Sequence, residues 1–247
     1  MPADVLIPLL DLPGVADAAE SARSAVDRLL GHRVLRASSA TVSAEAALRS
    51  ARASAALEDV EVGLAELRAG TVGDPVAQGA LRIAGELGRL VETWRRAPLQ
   101  VLARLHVLAA TGSQPADELG RPTADEVTSA RLDGLARVLT GGSAVPTVLV
   151  AAVVHGELHT LVPFRTGSGV VARAAARLTG IVGGLDPKAL SVPEVGHLAL
   201  REEYADAASA YAEGDAGGVA RWLRHCCAAQ ELGAREGLAI CEAVLRG

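Results

Sequence analysis

Residues 151–174, AAVVHGELHTLVPFRTGSGVVARA, constrain the fold of this chain more than any other stretch. An apolar run at helical spacing meets Pro163, then a turn carrying Gly167 and Gly169, then a second apolar run. Proline and closely spaced glycines punctuate helices, so the order is helix, tight turn, helix. A glycine-rich turn that feeds a helix N-terminus is also a ready anion site. Its backbone N–H groups turn toward a ligand, and the dipole of the following helix favours negative charge. Gly167, Ser168 and Gly169 are therefore candidate anion- or nucleotide-binding residues, with Arg173 one turn further on as a fixed cation.

A core around such helices must be made of small side chains. Half of the residues are apolar, but only two Trp, two Tyr and one Phe are among them. Ala, Leu and Val must fill the interior, and Ala and Leu are strong helix formers. No alternating strand pattern of useful length and no internal repeat is present, so the expected fold class is all-α. At 247 residues the chain is long enough for one large domain or two small ones.

Charge and cysteine usage narrow the partners. The net charge of −5 argues against a nucleic-acid partner, which relies on clustered cations. The longest apolar run, around Val145–Val154, is about half of what a membrane span needs. The N-terminus lacks a basic segment before its apolar residues, so no targeting signal is read there. Cys226, Cys227 and Cys241 lack metal-ligand spacing and fit a reduced chain. The expectation is a cytoplasmic protein with no membrane partner and no metal.

Helical spacing predicts helices over 15–31, 43–68, 74–96 and 98–110, with Asp74 and Pro75 as a start signal and Pro98 as a break. Residues 111–123, TGSQPADELGRPT, are rich in turn formers and read as a loop. A helix over 124–140 is expected to be capped by Thr123, with Glu126 completing a capping box. Pro146 opens the central helix, and S-V-P-E-V at 191–195 begins another.

The central stretch resembles the signature of the Fic family, H-P-F-x-[D/E]-G-N-G-R-x-x-R after a helix of the type A-x-x-x-H-x-x-F-x-x-I. In that frame Ala151, His155, Leu158 and Leu161 take the helix positions, and Pro163, Phe164, Gly167, Gly169 and Arg173 match. Val162 stands where the family has its histidine, and Thr166 where it has its carboxylate. Ser168 replaces the asparagine and Val170 the first arginine. The runs R-E-E-Y at 201–204, G-D at 214–215 and Trp222 are similar to the family's C-terminal helices, so the likeness covers most of residues 45–235.

The resemblance implies a Fic-like core over 96–247, preceded by a helical part over 1–95 that includes an inhibitory-type helix near 45–68. Ser54-Ala-Ala-Leu-Glu58 fits the family's [S/T]-x-x-x-E-[G/N], with Asp59 departing at the last place. In the family that glutamate pairs with the motif's second arginine, which carries over as Glu58 with Arg173. The loop at 111–123 falls where the family holds a target peptide on a flap. Here only Gly120 and Arg121 hint at that pattern, and Pro122 removes a donor.

In Fic adenylyltransferases the motif histidine takes the proton from a target hydroxyl, which attacks the α-phosphorus of ATP. The carboxylate holds magnesium, and the turn and arginines hold the phosphates. Valine accepts no proton, and threonine is a poor magnesium ligand beside a carboxylate. Losing a general base alone commonly costs about 10²–10⁴-fold. The implied function is a catalytically degenerate Fic-like protein acting as a binding or regulatory module. It would engage an unidentified protein partner and keep residual nucleotide or anion binding at the Gly167–Gly169 turn. No catalytic residue and no required cofactor is assigned; ATP or another nucleotide stays open as a ligand, as does self-association. The alternative is an active nucleotidyl- or phosphotransferase that uses non-standard residues, with His159 as the substitute base. His155 reads as a packed helix histidine, Glu157 between the two points elsewhere, and His106 is structural. His225 beside Cys226 and Cys227 is not a metal cluster, because one helix cannot aim three consecutive side chains at one ion.

Overall fold

A computed structural model describes residues 4–246. Among the described residues the chain is all-α, with a short 3-10 turn at Ile7–Asp11 and no strand beyond one isolated bridge, Thr111 to Gln114. The N-terminal helices are α1 (Val15–Leu30), α2 (Leu35–Ala56), α3 (Leu64–Ala69), α4 (Pro75–Arg96) and α5 (Pro98–Ala110). After a long loop come α6 (Glu126–Gly141), α7 (Thr147–Leu161) and α8 (Ser168–Val182). The last three are α9 (Pro193–Ala199), α10 (Arg201–Glu213) and α11 (Ala216–Arg246).

Two helices depart from expectation. The helix expected over 43–68 is two: α2 begins earlier and ends at Ala56, and α3 is a separate short turn of helix. The break is local chemistry. Asp59 takes a left-handed φ of 63°, a conformation that Asp tolerates better than most residues, and this turns the chain out of the helix. Helix α6 is capped by Asp125 and not by Thr123, because the Asp125 carboxylate accepts from the Thr128 N–H at 2.8 Å and the Thr128 hydroxyl at 2.7 Å. The Thr123 hydroxyl instead turns to the Pro163 carbonyl, at 3.4 Å.

The interior divides around the central pair α7 and α8, which pack on one another. On one side, α1, α10 and α11 close over α7 with Leu29, Leu149, Trp222 and Leu223 fully buried. On the other, α4 and α5 cover α8 with Leu105, Leu158, Phe164 and Leu178. The helices before residue 96 share these cores: α1 lies against α11, and α2 against α4, α9 and α11.

The small-residue composition shows in how closely backbones approach. A Cβ at Gly196 of α9 would overlap the Ala229 carbonyl of α11, and one at Gly233 would meet the backbone of Val192 and Pro193. Helices α9 and α11 therefore touch main chain to main chain. On α7, a Cβ at Gly156 would lie 2.7 Å from Trp222 and 2.8 Å from Tyr211, so this glycine makes room for aromatic side chains. No helix of the described residues is long and apolar enough to cross a membrane.

Candidate functional site

The turn between α7 and α8 sets the site. Helix α7 ends at Val162, whose φ of 47° and ψ of 58° place a β-branched residue in the left-handed region. That conformation costs on the order of 1–2 kcal/mol for an L residue with a Cβ. The Val162 side chain is half exposed, so no burial offsets the strain. Gly167, also left-handed at φ 68°, is the N-cap of α8 and aims the helix N-terminus at the site. Ser168 closes the turn on itself: its hydroxyl accepts from the Phe164 N–H at 3.0 Å and donates to the Phe164 carbonyl at 2.9 Å. Its side chain is therefore spent inside the turn.

The loop 111–125 is tied to this turn in several places. The Thr166 hydroxyl donates to Gln114 Oε1 at 2.7 Å, and Thr123 N–H binds the Pro163 carbonyl at 2.8 Å. The Gly120 N–H donates to His106 Nδ1 at 2.9 Å, and the His106 ring stacks on Phe164 with centroids 4.1 Å apart. His106 must keep Nδ1 unprotonated to accept that bond, and burial lowers its pKa accordingly. Arg165 projects into solvent and lies 3.6 Å from Glu118.

The structure brings Ser54, Glu58 and Arg173 together. The Arg173 guanidinium is buried and donates to Ser54 Oγ at 3.0 Å, the Ser54 carbonyl at 3.0 Å and Glu58 Oε1 at 2.7 Å. The Glu58 carboxylate lies directly over Gly169, where a Cβ would overlap it. Gly169 is thus needed for room, not for an unusual φ. The chain's own carboxylate sits at the N-terminal turn of α8, where the helix dipole favours negative charge. Asp59, in the left-handed conformation, stands where the resemblance has Gly or Asn, the residues that enter it most readily. Its carboxylate pairs with Arg201 at 2.6 Å.

Behind this pair lies a cluster of imidazole and aromatic rings. His155 Nε2 meets the Tyr204 hydroxyl at 2.9 Å, and His159 Nδ1 lies 3.5 Å from the same oxygen. Burial, then the nearby Arg173 charge, lowers the His159 pKa, while Glu58 opposes the shift. Burial followed by neighbouring imidazoles holds His155 well below the usual histidine range. Glu157 faces away from both histidines: it binds Arg131 at 2.8 Å and accepts from the Tyr211 hydroxyl at 2.9 Å. His197 of α9 and His225 of α11 join the cluster through a 3.0 Å contact between Nδ1 and Nε2. Sequence reasoning missed His197 altogether, since a lone histidine on a short helix carries no spacing signal.

No protein-family model matches the chain, and no curated protein matches it. Solved structures do. A Fic family protein from Desulfovibrio desulfuricans G20 is similar with a TM-score of 0.73 at 18% identity, over 92% of this chain and 74% of that one. A fragment of Fic-1 from C. elegans is similar with a TM-score of 0.74 at 17% identity, over 93% and 73%. The chain has the Fic fold.

Proposed function

We propose that this chain is a catalytically degenerate Fic-type protein that works by binding, with a protein partner as its target and its anion turn held shut by Glu58. The observation that carries this reading is the Glu58 carboxylate, bonded to Arg173 and seated over Gly169 at the start of α8. A second feature supports it. The residue at the end of α7 is Val162, an aliphatic side chain with no proton to take or give. His159, one turn back on α7, is made a weaker base by burial and by the Arg173 charge, and it lies 3.5 Å from the Tyr204 hydroxyl. Thr166, in place of a carboxylate, is bonded to Gln114.

In this reading the wild-type turn binds ATP or ADP only weakly, because a phosphate must displace a carboxylate already on the helix N-terminus and on Arg173. Glu58→Ala removes that competitor and should tighten nucleotide binding at least tenfold in calorimetric titration. The gain should vanish in Glu58→Ala with Arg173→Ala. Equal affinities for wild type and Glu58→Ala would sink the shut-turn reading. Incubation with labelled ATP and lysate tests the rest: transfer of label that depends on His159 would establish an active transferase instead.

A further inference from the structure

We infer that His155, His197 and Cys226 form a binding site for a transition-metal ion of borderline softness, Zn²⁺ in the first instance, with water completing the set. The site lies behind the anion turn, takes none of its ligands from that turn (Arg173 borders both) and does not depend on the function proposed above.

Three helices supply the ligands: His155 from α7, His197 from α9 and Cys226 from α11. All three side chains are buried, and their donor atoms lie within 4.8 Å of one another. In a tetrahedral Zn²⁺ site the bond lengths put neighbouring ligand atoms about 3.5 Å apart. Closing the set therefore needs side-chain movement on the order of 1 Å, within reach of χ rotations. Two imidazoles and a thiolate suit zinc, and a site with three protein ligands keeps one position for water.

The hydrogen bonds around the two histidines match what a metal needs. A ligating histidine usually has its second ring nitrogen held by a neighbour, which fixes the tautomer and ring plane. Here Tyr204 holds His155 at Nε2, and His225 holds His197 at Nδ1. Each ring keeps its other nitrogen for an ion. The three side chains also line a cavity of about 40 Å³, room for a bound water beside the ion.

Two arginines in the wall do not exclude a cation. Arg173 is paired with Glu58 and Arg177 with Glu194, so the wall carries no uncompensated positive charge from them. Asp186 is likewise engaged, by the Leu190 and Ser191 N–H groups at 3.0 and 2.7 Å. The close backbone contact of α9 with α11 at Gly196 and Ala229 holds two of the ligand-bearing helices at fixed separation. A metal here would pin α9 and α11 to α7.

The test uses the full chain, stripped with a chelator and then given Zn²⁺ or Co²⁺. Plasma mass spectrometry after gel filtration should find one Zn²⁺ per chain. Co²⁺ should give tetrahedral ligand-field bands together with a thiolate-to-metal charge-transfer band. Cys226→Ser should abolish the charge-transfer band and weaken Zn²⁺ at least tenfold, and His197→Gln should weaken it similarly. Cys227→Ser and Cys241→Ser, which alter buried thiols outside the trio, should leave both readings unchanged. Wild-type protein that retains no Zn²⁺, or that gives Co²⁺ bands without thiolate character, overturns the site. So does undiminished Zn²⁺ binding by Cys226→Ser. The wild-type spectrum decides the question even if a variant fails to fold.

Discussion

Replacing Glu194 by Ala should destabilise the protein more than replacing Glu58 by Ala, although each change takes the carboxylate from a buried arginine of α8. Arg177 and Glu194 have side chains only 5% and 4% exposed, with 3.2 Å between nitrogen and oxygen. Without Glu194 the Arg177 guanidinium keeps one bond, to the Ala189 carbonyl at 2.9 Å, and its Nε already lacks a partner. Leaving a buried charge uncompensated in this way costs about 3–5 kcal/mol. Arg173 is as deeply buried, but it keeps two bonds to Ser54 at 3.0 Å each. Its partner Glu58 is 30% exposed, so water can reach the guanidinium once the carboxylate is gone. Those two facts reduce the loss to about 1–2 kcal/mol. Urea unfolding followed by far-ultraviolet circular dichroism reads the difference as separated midpoints at a common slope. Arg177→Met combined with Glu194→Leu should recover most of the Glu194→Ala loss, because an apolar pair leaves no stranded charge. Equal losses for Glu58→Ala and Glu194→Ala, or the reverse order, would refute the claim that solvent access decides what these pairs are worth.

Other outcomes follow from single positions. Gly156→Ala should cost about 1–3 kcal/mol by forcing Tyr211 and Trp222 aside, read as a lowered melting temperature and altered tryptophan fluorescence. Val162→Gly should be neutral or stabilising by up to about 1 kcal/mol, since relief of left-handed strain outweighs the added freedom of the unfolded chain. Gly169→Ala should be costly in the wild type and much less so with Glu58→Ala, a coupling that a double-mutant cycle measures directly. Burial lowers the His106 pKa in the folded state, so its contribution is complete above the unfolded value of about 6.5 and is lost as the pH falls below it. His106→Phe, which keeps the stack on Phe164, should flatten the dependence of melting temperature on pH in that acidic window.

The sequence was informative where one helix face or one short frame held the whole signal. Asp74-Pro75, Pro98 and the paired glycines marked the bounds of α4, α5, α7 and α8, because start and stop chemistry acts over a few residues. The proximity of Glu58 to Arg173 followed from a resemblance, not from spacing, since their elements are far apart in the chain. The end of α2 is not legible because no Gly or Pro follows Ala56 until Gly63, and only the Asp59 backbone turn stops the helix. The cap of α6 is ambiguous in the sequence because Thr123 and Asp125 are both good caps; in the fold the Asp125 carboxylate takes the Thr128 N–H while the Thr123 hydroxyl turns to Pro163. His155, His197 and Cys226 were not legible as a group. Each comes from a different helix, and only main-chain contact between α9 and α11 brings two of them near.

Helix α11 also sets an order on events at the ribosome. It lies along α1, whose Val15, Ala19, Ala22, Val26 and Leu29 are buried in the finished protein. Nearly two hundred residues of chain separate the two helices. During synthesis the apolar stripe of α1 therefore leaves the exit tunnel long before its cover exists. Contacts this distant in sequence form late, because a long loop must close first. The newborn chain therefore carries an uncovered apolar stripe through most of its translation.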